Sequence, residues 1–130
     1  EVLPYAVAVE MIHTYSLIHD DLPCMDDDDV RRDQPSNHII YGEETALLAG
    51  DSLLTEAFRG ISKAYKHCPA IALELVDSLS SASGVTGMVG GQTLDLQAQN
   101  NEKQTAQELD SVLLIHKWVL LLLLLREKLG

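Results

Sequence analysis

The sequence predicts an all-α fold, on three observations. No stretch sustains the alternation of polar with β-branched residues that a half-buried strand requires. Apolar residues recur instead at helical spacing, beginning with Val2, Leu3, Val7 and Val9. Of the 130 residues, 46% are apolar, enough for one domain spanning the whole chain to bury a real core.

The first helix is expected from about Leu3 to Asp21. At 100° per residue its polar side chains Glu10, His13, Ser16 and Asp20 fall within an arc of about 120°, so the rest of its circumference is apolar and the helix is central. Pro23 and a run of charges end it. The stretch "RDQPSNH" then reads as irregular chain until Glu43 and Glu44 open a second helix, where two carboxylates favour the positive end of the dipole. Leu47, Gly50, Leu54, Phe58 and Ile61 mark its packed side. A third helix starts near Pro69, after the break "KHCP". The segment "GVTGMVGGQTLDLQAQN" is rich in small residues, and "NNEKQ" is a polar loop. Thr105 with Glu108 makes a capping box that starts a last, leucine-rich helix. No internal repeat is evident.

The charge balance narrows the possible partners. Twenty acidic against nine basic residues give a net charge of −11, which repels the phosphates of nucleic acid and anionic lipid heads and attracts cations. Cys24 and Cys68 form no CxxC pair, so neither a disulfide framework nor a zinc site is indicated, and a reducing cytoplasm fits. The apolar run Val119 to Leu125 is too short for a bilayer span and reads as a buried helix. The chain opens at Glu1 with its apolar pattern already under way, as a piece of something longer would.

The stretch "SLIHDDLPCMDDDDVRRDQPSNH", Ser16 to His38, holds seven aspartates and two adjacent arginines. A solvated acidic turn is the plain reading of such a run. Asp20 and Asp21, however, end a helix, and Asp26 follows after Leu22-Pro23-Cys24-Met25, so the chain can fold back and point separate carboxylates at one spot. Magnesium is held by one or two carboxylates plus substrate phosphate oxygens, and neighbouring arginines grip such phosphates. An EF-hand is excluded, because Arg32 falls where the loop needs glycine if Asp27 opens it. Gly84 to Gly91 contains neither a P-loop nor a GxGxxG fingerprint.

"DDLPCMDDDDVRR" resembles the first aspartate-rich motif, DDxxxxD followed by RR, of the trans-isoprenyl diphosphate synthases. The resemblance continues through "PSNH", "YGEETALLAGDSLL" and "GGQTLD", the last similar to the family's GQxxD segment. It implies helices bundled around a central cavity, the isoprenoid synthase fold, and a magnesium-dependent homodimer that joins an allylic diphosphate to isopentenyl diphosphate and releases pyrophosphate. On that resemblance Asp20, Asp21 and Asp26 hold magnesium, Arg31 binds the allylic diphosphate, and Arg32 and His13 bind isopentenyl diphosphate. Gln92, with Asp95, lies near the reacting allyl group, and Lys117 contacts a diphosphate, although Trp118 stands where the family has threonine. The growing prenyl tail needs a floor one helical turn before Asp20, where Tyr15 and Ser16 sit. An aromatic residue at that place and the extra Pro23-Cys24 are similar to bacterial farnesyl diphosphate synthases, whereas a smaller residue marks geranylgeranyl producers.

The family's upstream Gly-Lys-x-x-Arg segment and its second aspartate-rich motif do not occur in these residues, and Asp51, Asp77, Asp95 and Asp110 are solitary. The 130-residue piece alone is therefore expected to turn over little. A terpene cyclase with a similar motif, or a non-catalytic helical partner of a synthase, are the other readings. The RR pair and the GQxxD segment favour the synthase.

Overall fold

Helix α1, Leu3–Asp20, begins with Pro4 in its first turn, where a missing N–H costs nothing, and ends one residue before the expected boundary, with Asp21 as its C-cap. The structure, a computed structural model, describes residues 2–100. Lys117, the Thr105–Glu108 capping box and the leucine-rich segment lie outside the described residues. The chain divides into two compact units, Glu1–Val76 and Asp77–Gly130.

In the first unit α1 packs against α3, Glu43–Ala64, which opens at the two glutamates as the sequence indicates. Tyr5, Ala8, Val9, Ile12, Tyr15 and Ser16 form the buried row of α1, at the spacing of a helix with one covered side. The matching row on α3 is Ala46, Gly50, Ala57 and Ile61. That row is shifted from the expected one: Leu47 is 46% exposed, and Leu54 and Phe58 are half-buried. Small residues at the contact let the two helices approach closely, so the larger side chains flank the seam rather than fill it. Ile12 and Ile61 are fully buried, each worth about 1.5–3 kcal/mol of transfer free energy.

Between these helices, the stretch read as irregular chain is ordered. Two-residue strands β1, Val30–Arg31, and β2, Gln34–Pro35, pair antiparallel with Val30 opposite Pro35 and Arg31 opposite Gln34. The connecting residues Arg32 and Asp33 both have positive φ, 51° and 61°. Left-handed φ at both central residues is the mark of a type I′ turn, whose twist matches that of the strands it joins. A short helix α2, Asn37–Tyr41, follows and packs against α3. Among the described residues, the departure from all-helical structure is confined to this one hairpin.

Helix α4, Pro69–Ser83, starts at the expected proline. In the second unit α5, Met88–Asn100, takes up the small-residue segment. Gly90 has a specific reason to be glycine: a Cβ there would lie 2.1 Å from the carbonyl oxygen of Val85, so the preceding turn can come this close only to a residue without a side chain. No described helix is long and apolar enough to cross a membrane.

Candidate active site

The site is built by the turn that follows α1. Leu22, 5% exposed, anchors it, and its carbonyl accepts hydrogen bonds from the N–H groups of Met25 (2.8 Å) and Asp27 (3.1 Å). The backbone N–H of Asp26 in turn donates to the carbonyl of Asp20 at 2.9 Å. The chain therefore doubles back as its spacing indicates, and Asp26 stands beside the end of the helix that carries Asp20. Asp26 is exposed and Asp20 is partly so.

Asp21 is placed differently from its two neighbours. Its side chain is only 3% exposed, and both carboxylate oxygens accept hydrogen bonds from Arg31. Arg31 Nε donates to Oδ1 at 3.0 Å and to Oδ2 at 2.8 Å, and Nη2 donates to Oδ1 at 2.7 Å. Asp21 thus braces an arginine, and its oxygens are already occupied. The pairing uses the Nε and Nη2 edge of the guanidinium, so Nη1 remains for another oxyanion. The hydrogen bonds that Arg31 donates to Asp21 push its pKa above its already high value, with the charges of Asp21, Asp20 and Asp28 adding to the effect, and the group is permanently cationic.

The hairpin exists to deliver Arg31 to this place. Ser36 fastens its far end: its buried N–H donates to the carbonyl of Asp29 at 2.8 Å, and its hydroxyl donates to the carbonyl of Asp28. Arg32 sits at the tip, exposed and at positive φ, and is not drawn into the Asp21 pair.

On α1 itself, His13 is exposed and lies about two turns before Asp20, on the same face and about 10 Å along the axis. Ser16 is buried and its hydroxyl donates to the carbonyl of His13 at 2.8 Å, so it is spent within its own helix. Tyr15 is 6% exposed, and its ring meets that of His19 edge to face, with centroids 5.6 Å apart at 76°. Burial pushes the Tyr15 phenol above its usual pKa, with Asp20 adding a further repulsion, so it stays neutral. His19 Nε2 donates to the carbonyl of Leu47 at 3.0 Å, across the helix seam. Gly50 makes room for that ring: a Cβ would lie 2.1 Å from His19 Nε2. Gln92 and Asp95 share one face of α5, in the second unit.

Three features were not foreseen in the sequence. The Asp21–Arg31 pair depends on a hairpin whose turn residues, Arg-Asp, are not the usual glycine-containing signal. The His19–Gly50 contact could have been looked for, since a glycine inside a helix often marks a close approach. A third grouping, Asp27, Asp29 and His38, brings one ligand atom from each residue to within 4.8 Å of the others.

A model of the family described as polyprenyl synthetase matches residues 1–117. The chain belongs to that family. The farnesyl diphosphate synthase of Bacillus subtilis (strain 168) is 55% identical over 112 residues, which is 85% of this chain and 38% of that protein. The geranylgeranyl diphosphate synthase of Cyanophora paradoxa is 47% identical over 116 residues, 88% of this chain and 38% of that protein. The crystal structure of the geranyltransferase from Legionella pneumophila matches with a TM-score of 0.80 at 40% identity, over 85% of this chain and 40% of that one. The resemblance read from the aspartate and arginine motif is thus borne out, as is the all-α fold. The chain spans about two-fifths of the length of these polyprenyl synthetase relatives.

Proposed function

We propose that this chain forms the metal and allylic diphosphate end of a prenyltransferase that condenses dimethylallyl or geranyl diphosphate with isopentenyl diphosphate to give farnesyl diphosphate and pyrophosphate. The observation that carries the reading is the closure of Asp26 onto Asp20 beside an arginine fixed by Asp21.

The residues divide the work. Asp20 and Asp26 offer accessible carboxylates from opposite ends of a hydrogen-bonded turn, a donor set that suits magnesium. Magnesium held there would neutralise negative charge building on the departing pyrophosphate. Asp21, placed with these two on the family pattern, serves by bracing Arg31, which presents its remaining edge to the allylic diphosphate. A charged donor fixed in advance stabilises the leaving group without reorganising during the reaction. Arg32, unpaired with Asp21 and exposed, and His13, on the same face of α1 as Asp20, are free to bind isopentenyl diphosphate. Gln92 near the allyl group and Lys117 on a diphosphate complete the set by resemblance. Tyr15, buried and neutral, is the floor against which the prenyl tail stops, and Ser16, turned onto the His13 carbonyl, adds little to it. Assembly as a homodimer in the cytoplasm belongs to the same proposal, on family likeness.

A magnesium-dependent assay of the complete protein with labelled isopentenyl diphosphate tests this, with the released alcohols sized by chromatography. Label in farnesol supports it. Label in geranylgeraniol would assign the longer product, and no incorporation with either allylic diphosphate would point to a cyclase or an inactive partner instead.

A further inference from the structure

The hairpin loop carries a second set of potential metal ligands, distinct from Asp20 and Asp26 in position and in chemistry. Asp27, Asp29 and His38 each place one ligand atom within 4.8 Å of the other two. Exposed aspartates in such a grouping mean little alone. His38 changes the reading: it is 7% exposed, and its Nδ1 is buried with no hydrogen-bond partner among the described residues. A buried imidazole nitrogen left unpaired costs free energy unless something occupies it.

The local backbone fixes this arrangement. The Ser36 N–H holds the carbonyl of Asp29, and Ser36 precedes the short helix that bears His38, so Asp29 and His38 are set by the same hydrogen bonds that align the hairpin. Charge points the same way. Asp26, Asp27, Asp28, Asp29 and Asp33 crowd this loop, and of its two arginines Arg31 is committed to Asp21.

We propose that Asp27, Asp29 and His38 form a binding site for a divalent transition-metal ion of the Zn2+ type. One imidazole with two carboxylates suits zinc, whereas magnesium prefers oxygen ligands throughout. Ligand atoms around a tetrahedral zinc at about 2.0–2.1 Å stand roughly 3.3 Å apart. The two exposed carboxylates can swing through the difference, while the buried ring stays in place. An ion bound there would pin the start of the hairpin to α2 and so hold the loop that carries Arg31. The site does not depend on the proposed prenyl transfer.

The test uses the complete protein with 15N-labelled histidine, in excess Mg2+ so that the Asp20 and Asp26 carboxylates are already served. Zn2+ is added, and the His38 ring resonances, assigned by through-bond correlation, are followed. They should move and saturate at one equivalent. The Asp27→Asn/Asp29→Asn variant, changed only at exposed positions, should bind Zn2+ at least about 10-fold more weakly. Unmoved His38 resonances would overturn the proposal, leaving His38 paired directly with a carboxylate. So would wild-type affinity in the double variant, or binding lost on Asp26→Asn alone, which would put the zinc at the other carboxylates.

Discussion

Replacing Asp21 by asparagine tests the brace on Arg31. The side chain of Asp21 is 3% exposed and that of Arg31 34%, so the two partners are not equivalent when the pair is broken. Hydrogen bonds to a charged partner contribute about 1.5–3 kcal/mol, and breaking a fully buried pair from one side costs about 3–5 kcal/mol. Arg31 can turn to water and recover part of that, which lowers the cost of losing Asp21. Asp21→Asn keeps one acceptor oxygen but turns an amide N–H toward the guanidinium, and should cost about 1.5–2 kcal/mol. Arg31→Ala strands a carboxylate that cannot reach water, and should cost more, about 3 kcal/mol. The double variant should fall short of the sum by about 1 kcal/mol or more, since its members share one interaction. Urea unfolding of the complete protein, with parallel slopes, supplies the numbers. Under the proposed function, Asp21→Asn in the same preparations should raise the KM for the allylic diphosphate while leaving the Mg2+ requirement near that of wild type. If Arg31→Ala were the milder change, or the two effects simply added, Asp21 would not be the brace.

Other consequences follow from named contacts. Gly50→Ala drives a methyl group into the His19 ring and should destabilise by about 1–2 kcal/mol, whereas Gly60→Ala, with nothing within 4 Å of its new carbon, should stabilise by about 0.5–1 kcal/mol. Thermal melts of the two variants side by side read the difference, and equal shifts would remove the argument from packing. If Tyr15 is the proposed floor under the prenyl tail, Tyr15→Ala should give products longer than farnesol by chromatography, and an unchanged product would rule Tyr15 out as the stop. Tyr15 also makes stability depend on alkaline pH. Its folded pKa is raised, so above the ordinary tyrosine value near 10 the unfolded chain loses this proton first. Stability should therefore be full below that value and fall as pH rises through it. Tyr15→Phe should reduce that fall, and an identical alkaline profile in the variant would contradict the sign.

What the sequence disclosed and what it hid have physical causes. Helix α1 was legible because its polar stripe and the Pro23 break are local, and α3 because paired glutamates mark a helix start. The closure of Asp26 onto Asp20 was legible as well, since a six-residue separation around Pro23 leaves the chain few paths. The partner of Asp21 was not. It depends on a two-residue turn of Arg32 and Asp33 in left-handed conformation, which tertiary hydrogen bonds through Ser36 impose on residues with no strong preference for it. The packed side of α3 was legible at Gly50 and Ile61 but not at Ala46 and Ala57, where the sequence points to leucines and a phenylalanine instead. Leucines signal burial in a sequence, but it is Ala46, Gly50 and Ala57 that are buried on α3, and Gly50 lies against His19 of α1, where close approach selects the smallest side chain.

The central claim is that Asp20 and Asp26 hold divalent metal against a departing diphosphate while Asp21 holds Arg31. Crystals of the complete protein grown with Mg2+ and a bisphosphonate test it most directly. The account predicts metal bonded to carboxylate oxygens of Asp20 and Asp26, a bisphosphonate oxygen on Arg31, and Asp21 still on the guanidinium. Bound bisphosphonate with those two carboxylates turned apart into water, or with Asp21 released from Arg31 to the metal, would contradict it.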